Sequence, residues 1–257
     1  MKNLASVDTD VVVIGGGAAG LMAAGRSAQL GARVLLLEKT DSCGNKILVS
    51  GKTRCNLTNT AELKAFIAMY GQNGRFLHSA FSRFFRPELL AFFEQYGLAT
   101  KVERGGRVFP VSDNARDVVH VFQKYLSENK VRTIFNARVS SVRLDNNAQF
   151  IVETTSGQYL SRSIILATGG ASWPGTGSEG DGYPLSATLG HTIVKPKPAL
   201  VPLIVHELKL AKSMQGVSLR NVRATAFQGK AAAVDSALTP HGDYGRGEKK
   251  IARPPLI

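Results

Sequence analysis

The sequence predicts an α/β protein with a mainly parallel sheet, and three apolar runs carry that prediction. Residues 11–14 and 34–37 are short apolar runs separated by a glycine-rich turn and a helical stretch, which is the order of a β-α-β unit. A third apolar run, which starts after Ser163 at Ile164, ends close to the glycine pair at 169–170. Short continuous apolar runs are typical of strands buried on both faces, as in parallel sheets. Between 131 and 160, short strand patterns separated by turn residues predict a small antiparallel meander.

The glycine turn after the first run has the spacing of a dinucleotide-binding motif. Gly15, Gly17 and Gly20 form G-x-G-x-x-G between a predicted strand and a predicted helix. Gly15 permits the tight turn, Gly17 leaves room for a pyrophosphate beside the backbone, and Gly20 lets the helix approach the strand. The helix N-terminus offers unpaired N–H groups and a partial positive charge to phosphate. Because strand, helix and strand follow in order, the segment predicts dinucleotide binding rather than an ordinary glycine turn.

The acidic residue Glu38 ends the second predicted strand. Its carboxylate can accept hydrogen bonds from both hydroxyls of an adenosine ribose and would repel a 2′-phosphate, which argues against NADP at this site. The loop that follows, 39–59, is long and rich in glycine and small polar residues, which is typical of a functional loop. Within it, Lys46, Lys52 and Arg54 are placed to meet phosphate or an anionic substrate.

The composition is that of a globular protein of one or two domains: 257 residues, 44% hydrophobic and 20% charged. The sequence has no long uninterrupted apolar span, and Asp8 and Asp10 precede the first apolar run, so we expect a cytoplasmic protein without a membrane segment. The two cysteines, Cys43 and Cys55, do not make a disulfide framework. The five histidines are scattered without metal-ligand spacing, so we expect no metal site.

The net charge of +13 is high, and part of it lies in the last dozen residues. One interpretation is a solvated tail together with a site for an anionic cofactor; the other is nucleic-acid or membrane binding. The sequence shows no stacked aromatic motif or zinc-ligand pattern, so nucleic acid is the less favoured partner.

Downstream of the 39–59 loop, an apolar stripe with a period near 3.6 predicts a buried helical face rather than a cofactor contact. Its residues are Phe76, Leu77, Ala80, Phe81, Phe84 and Phe85.

Three blocks of the sequence resemble a known family in their order and spacing. They are GNKILVSGKTRCNLTN (44–59), RGGRVFP (104–110) and ATGGASWPGTG (167–177). The family is the BaiN/RdsA family of bacterial FAD-dependent oxidoreductases, which includes YhiN-like and aminoacetone-oxidase-type flavoproteins. The resemblance implies a Rossmann-like FAD-binding domain of the glutathione-reductase type, with the start of a second, β-rich domain. We expect the FAD-binding domain over 1–195, the start of the substrate domain over 196–235 and an atypical basic tail over 236–257.

The resemblance also implies which residues hold the FAD. The pyrophosphate would lie at the glycine turn, the adenosine ribose on Glu38 and the adenine beside Val139. The 44–59 block and the end of the third apolar run would line the dinucleotide and the flavin ring. The cofactor-binding residues expected on this basis are Gly15, Gly17, Ala18, Glu38, Lys39, Lys46, Ser50, Gly51, Arg54, Cys55, Asn56, Val139, Ala167, Thr168 and Gly169.

The activity implied by the resemblance is hydride transfer between flavin N5 and a small organic substrate. Conjugated enones and small amines are the expected substrates, and NAD(P)H or oxygen is the expected redox partner. No catalytic residue follows from the sequence, because the flavin carries the redox chemistry itself. Members of the family are longer, so we expect a chain truncated at its C-terminal end. Two alternatives stay open: a non-catalytic nucleotide-binding fragment, and an RNA-modifying flavoprotein, which the charge motivates.

Overall fold

The computed structural model of the chain describes residues 9–198 and 208–217. The chain divides into two compact units, Met1–Pro196 and Lys197–Ile257. The predicted tail at 236–257 and most of the predicted second domain at 196–235 lie outside the described residues, and both stay predictions. Within the described ranges, no helix is both long and apolar enough to cross a lipid bilayer.

The first unit contains both strands and helices. The strands are β1 (Thr9–Ile14), β2 (Val34–Leu37), β3 (Thr58–Asn59), β4 (Thr100–Glu103), β5 (Arg107–Pro110), β6 (Arg132–Ile134), β7 (Val139–Leu144), β8 (Phe150–Thr154) and β9 (Gly157–Leu166). The helices are α1 (Ala18–Gln29), α2 (Asn45–Val49), α3 (Leu63–Ala68), α4 (Gly74–Phe81), α5 (Arg86–Gln95), α6 (Ala115–Glu128) and α7 (Gly182–Thr188). In the second unit the structure describes α8 (Leu208–Ser213).

The main sheet has six strands in the order β6-β2-β1-β9-β8-β7. The four strands β6, β2, β1 and β9 pair in parallel, and β7, β8 and β9 pair antiparallel. The parallel strands and the meander predicted from the sequence are therefore parts of one sheet. The first strand predicted for the meander, β6, instead pairs in parallel with β2, because the end of α6 returns the chain to that edge.

The strand β9 joins the two halves of the sheet. The sequence predicts two strands here, one over 158–160 and a second in the run that begins at Ser163, but the strand is continuous from Gly157 to Leu166. Its first half pairs antiparallel with β8, and its second half pairs in parallel with β1. At the changeover Ser161 is 2% exposed, and its hydroxyl donates a 2.7 Å hydrogen bond to the Ser163 carbonyl oxygen. That bond gives the buried hydroxyl a hydrogen-bond partner, so a polar residue can occupy this position in the strand.

Apolar residues cover both faces of the sheet. Because successive side chains of a strand point to opposite faces, Val13 and Leu36 pack on one face, with α1 and α6. Val12 and Leu35 pack on the other face, with the meander and α7. A smaller sheet has the strand order β3-β5-β4.

The prediction that the apolar stripe of α4 and the residues after it is buried is wrong in part. Phe76 is 87% exposed and Phe84 is 40% exposed. Phe81 and Phe85 are half-buried, and their rings pack 5.5 Å apart. Within the described residues, Gly74 is the one buried residue of α4. Helical periodicity was correct as evidence for a helix, but the surrounding chain covers only part of its apolar surface.

Candidate dinucleotide site

A cavity of about 740 Å³ opens at the carboxyl ends of three parallel strands. Ile14, Leu37 and Leu166, the last residues of β1, β2 and β9, all line it. The carboxyl ends of the strands are where open α/β sheets bind their ligands. The sheet topology therefore places the glycine turn, the loop after β2 and the loop after β9 around one space.

Most of the residues expected to hold a cofactor line this cavity. Those that do are Gly15, Gly17, Ala18, Glu38, Lys39, Lys46, Ser50, Cys55, Asn56, Val139, Ala167, Thr168 and Gly169. The two that do not are Gly51 and Arg54. Contact of any of these residues with a bound cofactor stays a prediction.

The three glycines of the motif have different surroundings. Gly15 has a φ of +106°, and a Cβ there would lie 2.5 Å from the Ala167 carbonyl oxygen. A Cβ at Gly20 would overlap the Gly15 carbonyl oxygen, so this glycine lets α1 pack against the turn. A Cβ at Gly17 would meet no atom within 4 Å. Gly17 therefore leaves open space beside the backbone, which is the cradle that a pyrophosphate requires.

The N-terminus of α1 faces the same space. Gly17 is its N-cap, no side chain caps it, and its first turn holds no acidic residue. Ala18 and Ala19 follow Gly17 along the cavity wall. The unpaired N–H groups of a first helical turn attract anions, so this end of the cavity is suited to phosphate.

Glu38 fastens the glycine turn to the loop after β2. It is 9% exposed, and its Oε2 accepts a 2.6 Å hydrogen bond from the Gly16 backbone N–H. Its Oε1 accepts two hydrogen bonds of 2.8 Å, from the backbone N–H and the hydroxyl of Thr40. Carboxylate oxygens have further lone pairs, so Glu38 can hold the turn and still accept from a ribose hydroxyl.

A network of four charges includes three residues of the cavity lining, and no pattern in the sequence predicts it. The Lys39 Nζ atom lies 2.7 Å from Asp181 Oδ2 and 3.0 Å from Glu179 Oε2. The Arg138 Nη2 atom lies 2.7 Å from Asp181 Oδ1 and 3.0 Å from Glu179 Oε2. Burial opposes ionisation of Asp181, but its bonds to Lys39 and Arg138 outweigh burial and lower its pKa. The network joins the loop after β2, the start of β7 and the segment before α7.

The basic residues of the 44–59 loop lie in different environments. Lys52 is exposed and is not part of the cavity lining. Lys46 lines the cavity and donates a 2.9 Å hydrogen bond to the Ser172 carbonyl oxygen. Arg54 instead pairs with Glu103, at 2.7 and 3.2 Å, and its guanidinium lies 4.1 Å from the centre of the Phe109 ring. The partners of Arg54 hold its charge on the small sheet, away from the cavity lining.

Both cysteines are free, buried thiols. Burial, together with the charge of Glu38, raises the pKa of Cys43 to about 12. Burial also raises the pKa of Cys55, against a hydrogen bond with Ser50. The thiolate is the reactive form of cysteine, so the two environments disfavour a redox-active pair. Within the described residues, no group of three or more His, Cys, Asp or Glu side chains could hold a metal ion.

The fold and the site define a Rossmann-type dinucleotide-binding protein. The chain belongs to the HI0933-like family, since the family described as "HI0933-like protein Rossmann domain" matches residues 9–234. This is a family of FAD-dependent oxidoreductases. The match confirms the resemblance to the BaiN/RdsA family and the prediction of a Rossmann-like FAD-binding fold.

Two curated relatives carry different functional names. The chain is 36% identical over 203 residues to the 3-dehydro-bile acid delta(4,6)-reductase of Clostridium scindens, covering 78% of this chain and 49% of that protein. It is 31% identical over 246 residues to the ribosomal RNA dihydrouridine synthase of Haemophilus influenzae, covering 94% of this chain and 60% of that protein. The chain thus spans about half to three fifths of the length of these relatives.

A solved structure supports the fold at low sequence identity. The open conformation of a flavocytochrome c3 fumarate reductase matches with a TM-score of 0.51 and 20% identity. The match covers 70% of this chain and 40% of the reductase. At that identity the likeness is evidence for the fold alone.

Proposed function

We propose that this chain binds FAD in the cavity at the carboxyl ends of β1, β2 and β9, as part of an oxidoreductase. The observation that carries the proposal is the open space beside Gly17, which faces the uncapped N-terminus of α1. Bound FAD would supply hydride acceptance and donation at flavin N5. NAD(P)H is the electron donor that we propose, with oxygen as the alternative redox partner.

The residues of the chain would bind and orient the cofactor. The N–H groups at the start of α1 would hold the pyrophosphate, and Glu38 would accept from the ribose hydroxyls. Val139, a buried residue at the start of β7, would contact the adenine. Lys46 and Asn56 lie on the part of the wall formed by the 44–59 loop, where they would meet the flavin end.

We propose reduction of a carbon–carbon double bond conjugated to a carbonyl as the reaction class. The two named relatives support it, because a 3-keto-Δ4,6 steroid and a uracil ring both carry such a bond. A carbonyl conjugated to the double bond accepts the negative charge that develops when a hydride adds to the far carbon. Oxidation of an amine is the less favoured reaction, since neither relative named above points to it.

RNA is a second candidate substrate class, and two observations favour it. The chain carries a net charge of +13, and a relative covering 94% of it is named a ribosomal RNA dihydrouridine synthase. A basic protein attracts the phosphate backbone without regard to sequence. We propose a cytoplasmic location, where reduced thiols such as Cys43 and Cys55 persist.

Cofactor binding is the first test of the proposed function. The purified chain is titrated with FAD, and the quenching of flavin fluorescence gives the affinity. We expect Glu38→Ala to weaken binding by about 1.5–3 kcal/mol, because a charged hydrogen-bond partner is lost. The control is Glu94→Ala, which removes an exposed carboxylate of α5 that is not part of the cavity lining. Equal affinities for the two variants would show that Glu38 does not hold the cofactor.

The reaction is tested on the FAD-loaded protein. NADH is added without oxygen, and the flavin absorbance is followed until it bleaches. A 3-keto-Δ4,6 steroid or a uridine-containing RNA is then added, and we expect one of them to restore the absorbance. A chain that binds no FAD under any condition would instead support the alternative of a non-catalytic fragment.

A further inference from the structure

The outer face of α4 carries exposed cations and an exposed aromatic ring. In α4 and the turn after it, Gly74 is buried and Leu77 and Phe81 are half-buried, so these residues form the inner face. Exposed residues on the opposite side of the helix and its following turn form the outer face, which we define as Arg75, Phe76, Ser79, Ala80 and Arg83. Arg75 and Arg83 are separated by about two helical turns, with the Phe76 ring on the same side.

Acidic side chains are missing from this part of the sequence. Residues 63–87 contain no Asp or Glu, although they contain Lys64, Arg75, Arg83 and Arg86. Arg86 is held by Glu62, at 3.2 Å, and by the Ala61 carbonyl oxygen, at 2.8 Å. Among the described residues, the side chains of Lys64, Arg75 and Arg83 have no hydrogen-bond or ion-pair partner. Their charge is available to an external anion.

Phe76 is unusual among the aromatic residues of this segment. The rings of Phe66, Phe81 and Phe85 pack against one another at centroid distances of 5.2–5.5 Å. Phe76 is 87% exposed, and it has no ring partner among the residues that the structure describes. The packed rings hold the helix, whereas the Phe76 side chain is largely in solvent.

We propose that the outer face of α4 binds single-stranded RNA. An exposed aromatic ring between unpaired arginines is the combination by which proteins stack an unpaired base and neutralise its flanking phosphates. Phe76 would stack on the base, while Arg75 and Arg83 would contact the phosphates. The linear sequence shows no stacked aromatic motif and therefore disfavours nucleic acid, but the helix brings the ring and the charges together.

The position of α4 in the chain connects this face with the cavity. The helix α5 begins at Arg86, shortly after Arg83, and its residues Leu89 and Phe93 line the cavity wall. RNA held on α4 would therefore lie on the segment that leads into that wall. The inference deepens the RNA candidate of the proposed function and rests on it for the role of the bound RNA.

The test measures RNA binding without turnover. A short fluorescein-labelled single-stranded RNA is titrated with the full chain, and anisotropy is recorded at several NaCl concentrations. We expect Arg75→Gln with Arg83→Gln to weaken binding about tenfold and to reduce the slope of log K against log [NaCl] by about 1.4, since each phosphate contact contributes about 0.7. We expect Phe76→Ala to weaken binding by about tenfold with the slope unchanged, as for a lost stacking contact.

The matched control is Arg143→Gln with Arg162→Gln, which removes two exposed cations of β7 and β9. We expect it to bind RNA like the parent chain. An equal loss in the control pair would show diffuse attraction and would overturn the proposal, as would unchanged affinity in the α4 variants. Binding to phosphatidylglycerol vesicles that is stronger than binding to RNA and is lost in the same variants would assign the face to lipid instead.

Cofactor binding is recorded for the same proteins, which separates this inference from the proposed function. A variant that loses RNA but keeps FAD supports the face as the RNA site. A chain that binds RNA through this face but never binds FAD would support the proposed RNA-binding face and contradict the proposed FAD-dependent activity.

Discussion

The β1–α1–β2 unit and the α3–α4 segment differ in what covers their apolar side chains. All four residues of β2 are buried, and Leu36 is 0% exposed. In the α3–α4 segment, Phe76 is 87% exposed and Met69 is 73% exposed. Burial of apolar surface stabilises a fold by about 25 cal/mol per Å². The first region therefore holds the fold and shapes the cavity, whereas the second leaves much of its apolar surface exposed.

The largest expected effect comes from truncating one apolar side chain in each region and comparing the losses of stability. Leu36→Ala removes a fully buried side chain between α1 and the sheet, so we expect a loss of about 2–5 kcal/mol in the free energy of unfolding. Phe76→Ala removes a larger side chain from the surface, so we expect a change within about 0.5 kcal/mol. Urea unfolding followed by circular dichroism gives both values.

A marked destabilisation by Phe76→Ala would contradict this difference between the two regions. It would mean that the rest of the chain covers α4 in solution, and the face could not then bind RNA. A small effect of Leu36→Ala would equally contradict the packing described for the sheet.

The second test sharpens the role of the β1–α1–β2 unit by separating packing from ligand binding. Gly20→Ala places a Cβ against the Gly15 carbonyl oxygen, so we expect a loss of about 1–3 kcal/mol in stability from overpacking. Gly17→Ala places a Cβ in open space, at a φ of −77° that alanine adopts readily. We expect this second variant to fold with a smaller loss of stability and to bind FAD at least about tenfold more weakly, because its methyl group fills the cradle.

Thermal unfolding and FAD titration of both variants check this prediction. The glycine roles would be wrong if Gly17→Ala bound FAD as tightly as the parent chain. They would also be wrong if Gly20→Ala were as stable as the parent chain.

Features that depend on local backbone geometry could be predicted from the sequence. The motif of Gly15, Gly17 and Gly20 needs a turn, a cradle and a close approach, and each need is met within a few residues. The cavity wall at Ala167, Thr168 and Gly169 followed from the end of an apolar strand, because parallel strands end at the same edge of the sheet.

Features that depend on distant partners could not be predicted. The charge of Arg54 suited a phosphate, but Glu103, 49 residues away in sequence, holds it elsewhere. Asp181 and Arg138 meet across 43 residues, and the spacing of neither residue in the sequence indicates the other. The period of Phe76 and its neighbours predicts a helix, but it does not say which other segment covers that helix.

The smallest expected effect concerns Cys43, whose thiol is buried, in contrast to the exposed face of α4. Burial and the Glu38 charge raise the pKa of Cys43 from 9.0 to about 12 in the folded chain. Between these two values the unfolded chain has released a proton that the folded chain keeps. Stability is therefore fully present well below pH 9 and falls as the pH rises toward 12, by about 1.4 kcal/mol at pH 10.

Cys43→Ala removes this dependence, so subtracting its unfolding free energy from that of the parent chain at each pH isolates the thiol. A buried methyl group in place of the thiol shifts stability by a constant, whereas the ionisation adds a slope, and the two are distinguishable. Cys55, whose pKa burial also raises, is present in both proteins and cancels. Parallel curves from pH 8 to pH 11 would show that water reaches Cys43, and the β1–α1–β2 unit would then be less tightly packed than its contacts indicate.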